Sequence, residues 1–281
     1  MAESLAGYKK LQALSLNIQH RDYHPLRKIK NLQHLVLSAG YQTDTVRSLL
    51  LNSRSTLKSL DITSSHFDFF TKWDQVMKSK DQKHYLPSLK SFTICGHGYE
   101  FDRNHIRALV KAIDFVGLQE LNIKSLPDDS PVLFRQLTEL FPTATSGSRV
   151  RLQSLALDMG VRGWRLSDNQ IQEMTDVKCE FLSSFNSLKT LVLDDYGQYK
   201  LEVTENPELP SHLVQAILKH QDLEKLSISY GGVTSGYQIP YLKPATIATL
   251  LDNLPHLKEI NISPEEKDLV RKHLDTPCTN C

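Results

Sequence analysis

Apolar residues recur along this chain in a fixed six-residue phrase, L-x-x-[LFI]-x-[LI], which occurs nine times. It begins at Leu11, Leu32, Leu57, Leu89, Leu118, Leu152, Leu188, Leu223 and Leu257. All 27 apolar slots hold Leu, Ile or Phe, where a hydrophobic content of 40% would fill about 11 by chance. The second half of each phrase alternates apolar and polar, the period of a strand with one buried face. The spacing predicts strands near 11–18, 32–38, 57–63, 89–95, 118–124, 152–158, 188–194, 223–229 and 257–262. The leading leucine, where the chain enters the strand, is placed to anchor that turn in the core.

Between the phrases the apolar spacing becomes helical. It predicts helices in DRNHIRALVKAIDFV from Asp102, SPVLFRQLTELF from Ser130 and SDNQIQEMTDVKCEFLSSF from Ser167. Two more follow in PSHLVQAILKH from Pro210 and PATIATLLDNL from Pro244. Ser130-Pro131 supplies an N-cap followed by proline at the first helical position. Ser167 with Gln170, and Ser263 with Glu266, have capping-box spacing. Strand and helix therefore alternate, which implies an α/β fold with a parallel sheet of about nine strands. One helix per repeat, always on the same side, would curve that sheet into a horseshoe solenoid, strands on the concave face and helices on the convex one.

Repeat lengths between leading leucines are 21, 25, 32, 29, 34, 36, 35 and 34 residues. Strand and helix are fixed by their neighbours, so added length must leave through loops. The long excursions follow the sixth, seventh and eighth strands, from Asp158, Asp194 and Ser229, and would cluster on one rim.

These phrases resemble leucine-rich repeats of the irregular-length kind, over the stretch from about Leu11 to Ile262. The chain looks most like the repeat region of F-box-type ubiquitin-ligase receptors, and more distantly like ribonuclease-inhibitor-type repeats. The family's repeats usually carry Asn or Cys three residues after the last aliphatic slot. This chain instead has Gln19, Gly40, Ser65, His97, Gly160, Tyr196 and Gly231 at such places. The resemblance implies a protein–protein interaction scaffold, the substrate-recognition part of a ligase receptor; the alternative is a regulatory or inhibitory scaffold that covers a partner enzyme. No F-box precedes the first strand, and SLAGYKKLQALSL parallels LDNLPHLKEINI from Leu251, so the chain reads as starting mid-repeat, as a piece of a longer protein would.

Composition narrows the function class. The 281 residues carry 33 Lys and Arg against 32 Asp and Glu, a net charge of +1. With no long Lys/Arg run, neither a nucleic acid nor a membrane is expected as a partner; a protein is. No secretory signal or apolar run of spanning length is present, and the four cysteines, Cys95, Cys179, Cys278 and Cys281, are too scattered for a disulfide scaffold. A cytoplasmic or nuclear location follows. The chain is read as one domain over 1–274, with 275–281 as a disordered tail.

Chemistry-bearing groups do not converge, so no enzyme activity, cofactor or metal is expected. His212 and His220 share one predicted helix without a second ligand pair, and Gly96-His97-Gly98 lacks the spacing of a phosphate cradle. Neither Cys95, with no cationic sequence neighbour, nor Cys179, beside Lys178 within a predicted helix, is expected to be a reactive thiol. Binding residues are sought in two places. The polar slots give two columns on the concave face: Ala13, His34, Ser59, Ser91, Glu120, Ser154, Thr190, Lys225 and Glu259, then Ser15, Val36, Asp61, Thr93, Asn122, Ala156, Val192, Ser227 and Asn261. The long loops carry Arg162, Trp164, Arg165, Tyr196, Tyr199, Tyr230, Tyr237 and Tyr241, residue types that dominate binding hot spots. Those same aromatics could instead pack their own loops.

Overall fold

The structure is a computed structural model that describes residues 10–17, 24–38, 43–64, 85–96, 103–124, 130–143, 150–159, 167–195, 209–230 and 243–261. Two compact units divide the chain, Met1–Leu152 and Gln153–Cys281. In the first, five parallel strands follow one another in chain order: β1 (Ala13–Asn17), β2 (His34–Ser38), β3 (Ser59–Ser64), β4 (Ser91–Gly96) and β5 (Glu120–Lys124). In the second, β6 (Ser154–Asp158), β7 (Thr190–Asp195), β8 (Lys225–Tyr230) and β9 (Glu259–Asn261) do the same. Six α-helices are described: α1 (Thr43–Ser53), α2 (Arg103–Ala112) and α3 (Ser130–Thr143) in the first unit, α4 (Asp168–Ser183), α5 (Ser211–Leu218) and α6 (Pro244–Asn253) in the second.

Every strand begins two residues after its leading leucine, because the residue between has another task. Its carbonyl accepts two N–H groups from the following repeat. Gln12 O takes Gln33 N–H at 2.7 Å and His34 N–H at 3.0 Å; Gln33 O takes Lys58 and Ser59 at 2.8 and 3.0 Å. Lys58 O and Lys90 O continue the pattern to Ser91 and Glu120, and Gln153 O, Lys189 O and Glu224 O repeat it in the second unit. A buried sheet edge would leave these groups unmatched; the shared carbonyl satisfies two donors per turn.

The aliphatic slots form the core of each unit. From Leu32 to Ile228 all are buried, most of them completely, each worth roughly 1.5–3 kcal/mol relative to exposure. Leu11, Leu257 and Ile260, at the outermost described strands, are only half-buried. Side chains tie the turns together: Ser53 Oγ accepts Leu32 N–H at 3.0 Å, and Thr56 Oγ1 donates to Leu32 O at 2.9 Å. Asn52 Nδ2 donates to Arg27 O and Ile29 O, while Asn31 takes the left-handed conformation (φ 61°) that turns the chain into β2.

Two features lie beyond the pattern read from the sequence. Helix α1 was not among the five predicted, although Val46, Leu49 and Leu50 give it a buried face. The predicted helix from Asp102 ends at Ala112, and Phe115–Gly117 is a separate 3-10 turn whose Asp114 side chain accepts Gly117 N–H. The box at α4 is formed through Gln170 Oε1, which accepts Ser167 N–H at 2.9 Å and the Ser167 hydroxyl at 3.0 Å. No helix among the described residues is long and apolar enough to cross a membrane.

Candidate functional site

Alternation along each strand sends the aliphatic slots into the core and leaves the intervening residues on an open face. Strand pairing brings those residues into rows. In the first unit Ala13, His34, Ser59, Ser91 and Glu120 stand side by side across five strands, and Ser15, Val36, Asp61, Thr93 and Asn122 form the next row. In the second unit the rows are Ser154, Thr190, Lys225 and Glu259, then Ala156, Val192, Ser227 and Asn261. Both columns read from the sequence are therefore present, within each unit, in register. A third row, which the phrase does not include because it follows the last aliphatic slot, adds Ser38, Thr63, Cys95 and Lys124, and in the second unit Asp158, Asp194 and Ser229.

The first unit's face has a polar centre. Burial raises the Asp61 carboxyl above the usual carboxylate range, opposed by the Thr63 hydroxyl, which donates to Oδ1 at 3.4 Å, and by the charge of Lys124. Asn122 Oδ1 is enclosed without a hydrogen-bond donor among the described residues. Register pairing also sets Lys124 beside Cys95 on the neighbouring strand, a cationic neighbour that the local sequence does not reveal. Cys179 is different: it is buried in α4, and burial, with Asp176 adding to it, pushes its thiol up to about 12.

The second unit's face carries an ion pair across β8 and β9. Lys225 Nζ lies 3.0 Å from Glu259 Oε2, and Asn261 Nδ2 donates to Glu259 Oε1 at 2.7 Å, which together hold that carboxyl below its usual range. Asp158 and Asp194 stand paired across β6 and β7, both nearly enclosed.

Of the loop residues singled out from the sequence, Arg162, Trp164, Arg165, Tyr196, Tyr199, Tyr237 and Tyr241 lie outside the described residues. Tyr230 is the last residue of β8, in register with Asp195 of β7. The two histidines of the α5 region do not converge. His212 Nε2 stands 3.4 Å from Asp176 Oδ1, whereas His220 lies beyond the helix end, wholly buried, with Nε2 at 3.0 Å from Leu182 O and its ring edge-on to Phe185. Among the described residues, no three His, Cys, Asp or Glu side chains gather as a metal site.

No family model matches the chain, and neither does any curated protein. Among solved structures it is similar to the crystal structure of a protein from Bacteroides fragilis, at 17% identity and a TM-score of 0.34. The match covers 78% of this chain and 55% of that one, so the chain spans about half the length of that protein.

Proposed function

We propose that this chain is a leucine-rich-repeat solenoid, curved as a horseshoe, that holds a protein partner against the open face of its sheet and against the long-loop rim of repeats six to eight. One observation carries the reading: the residues between the aliphatic slots line up strand by strand, and most are small and polar. Such rows offer a partner's protruding segment close approach along the sheet, with hydrogen-bonding groups at the spacing of the strands, about 4.8 Å. Resemblance to F-box-type receptors favours the substrate-recognition part of a ubiquitin ligase. The second reading, a regulatory scaffold that covers an enzyme's active site, is favoured by the distant likeness to ribonuclease-inhibitor-type repeats. An F-box encoded upstream of Met1 separates the two.

The binding test uses the full chain. A partner captured from native cell extract is identified, purified and rebound to the wild type. Thr93→Arg with Val192→Arg, which places bulk and charge on the open face, should weaken that binary complex at least about tenfold, the loss of one buried hot spot. The rim variant Trp164→Ala/Tyr199→Ala/Tyr237→Ala tests the loops separately. Unchanged affinity in both sets, with unchanged circular dichroism, sinks the proposal.

A further inference from the structure

The net charge of +1 conceals a segregation of charge along the chain. Met1–Leu152 holds 21 Lys and Arg against 14 Asp and Glu, a net +7; Gln153–Cys281 holds 12 against 18, a net −6. In the first unit six described cations lie at the leading edge of the sheet, where the strands begin and the helices end, with Asp114 and Glu120 as carboxylates at its β5 end. Lys58 and Lys90 occupy the shared-carbonyl positions of adjacent strands, and Lys90 N–H donates to Lys58 O. Neighbouring strands are about 4.8 Å apart, so the two cations start from adjoining backbones. Lys28 and Lys30 approach β2 along the same edge, Lys111 lies at the end of α2, and Arg151 N–H donates to Val116 O just ahead of β5. All six are exposed.

One bland explanation accounts for only part of this. A helix C-terminus favours a nearby cation, which suits Lys111 and also Arg54 after α1. It does not require like charges on neighbouring rungs. The second unit shows how the same ladder is neutralised: Glu224 sits between Lys189 at 3.4 Å and Lys258 at 2.8 Å, and both hold its carboxyl below the usual range. In the first unit the corresponding residues are Gln12, Gln33, Lys58, Lys90 and Gln119, with no carboxylate among them, and Lys58 Nζ donates to the neutral Gln33 Oε1 at 3.0 Å.

We infer that the leading edge of the first unit is a docking surface for an acidic polypeptide segment, distinct from the open face proposed above and independent of that reading. Five neighbouring strands place this edge over about 19 Å, the length of roughly six residues of extended chain. Its exposed cations are mostly lysines, flexible point charges that can each meet one carboxylate along an extended segment without the fixed plane of a guanidinium. Base stacking has no exposed ring to use here among the described residues: Phe115, just ahead of β5, is buried, and Tyr85 is buried with the Arg54 guanidinium 5.4 Å from its ring centre.

The test is a titration of the full chain with a labelled 12-residue Asp/Glu peptide, a single-stranded oligonucleotide of equal charge and vesicles containing anionic phosphatidylserine. The peptide should bind at 0.05 M salt and weaken about tenfold by 0.2 M, as expected for exposed charges. Lys58→Gln/Lys90→Gln, which installs the residue already native to Gln33 and Gln119, should weaken it about tenfold; Lys219→Gln/Lys243→Gln, the same charge change in the second unit, should leave it unchanged. Absence of peptide binding at low salt, equal loss in both variants, or tighter binding of the oligonucleotide or the vesicles overturns the inference.

Discussion

His220 shows how one side chain can couple this fold to pH. It is fully buried, its Nε2–H donates to Leu182 O, Nδ1 has no partner among the described residues, and Phe185 packs against the ring. Burial pushes its pKa down to about 4, with the Leu182 carbonyl opposing and Lys219 adding to the shift. An unfolded histidine titrates near 6.5, so below that pH the unfolded chain binds a proton that the folded chain refuses, and acid favours unfolding. The stabilisation from a neutral His220 is complete above about 6.5 and is lost as pH falls toward 4, on the order of 3 kcal/mol in all. Urea midpoints should therefore drop between pH 7.5 and 4.5, and His220→Leu should flatten that drop while lowering stability at pH 7.5. An equal pH slope in the variant would show that His220 is not the coupled group.

At the scale of the element, the repeat phrase sets both structure and vulnerability. Leu118 is completely buried ahead of β5, whereas Leu257 holds the same slot ahead of β9 and is half-buried. Leu118→Ala should cost about 2–5 kcal/mol and Leu257→Ala under about 1.5, measured by denaturant unfolding; equal costs would mean that burial does not govern the slot. Most of this architecture was legible in the residues. The alternation located all nine strands, and helical apolar spacing located five of the six described helices to within a few residues. The leading leucine was read into the strand because its hydrophobicity is indistinguishable from that of the later slots; only the hydrogen bonds of its neighbour reveal a turn. Helix α1 was missed because TDTVRSLLLNS lies between closely spaced phrases, with most of its apolar residues bunched in one Leu run and no proline to mark its start. The open face was legible as two columns, since its pairing follows from the repeat. Lys124 beside Cys95 was not, because the two residues lie 29 positions apart and meet only through register.

At the scale of the whole molecule, a near-zero net charge and a segregated one lead to different behaviour. A protein of uniform charge near its isoelectric point is retained weakly by any ion exchanger. This chain, with +7 in its first unit and −6 in its second, should be retained at pH 7.5 and low salt by both cation- and anion-exchange resins. Lys58→Gln/Lys90→Gln should shorten retention on the cation exchanger; flow-through on both resins would show that the segregation has no effect at the surface. The segregation was present in the residues all along, and summing over the full length erased it.

The shared carbonyl between successive phrases also bears on how such a chain changes over generations. Each junction within a unit is a self-contained clasp of one acceptor and two donors, made by backbone and therefore indifferent to side-chain identity: Gln, Lys and Glu all serve. What lies between two clasps has ranged from 21 to 36 residues without disturbing them. Gene rearrangements that cut at the same point of two phrases, whether duplication, deletion or exchange of a turn, would rejoin in register, while a single-residue insertion inside a phrase would not. Inheritance in this molecule is quantised in whole turns.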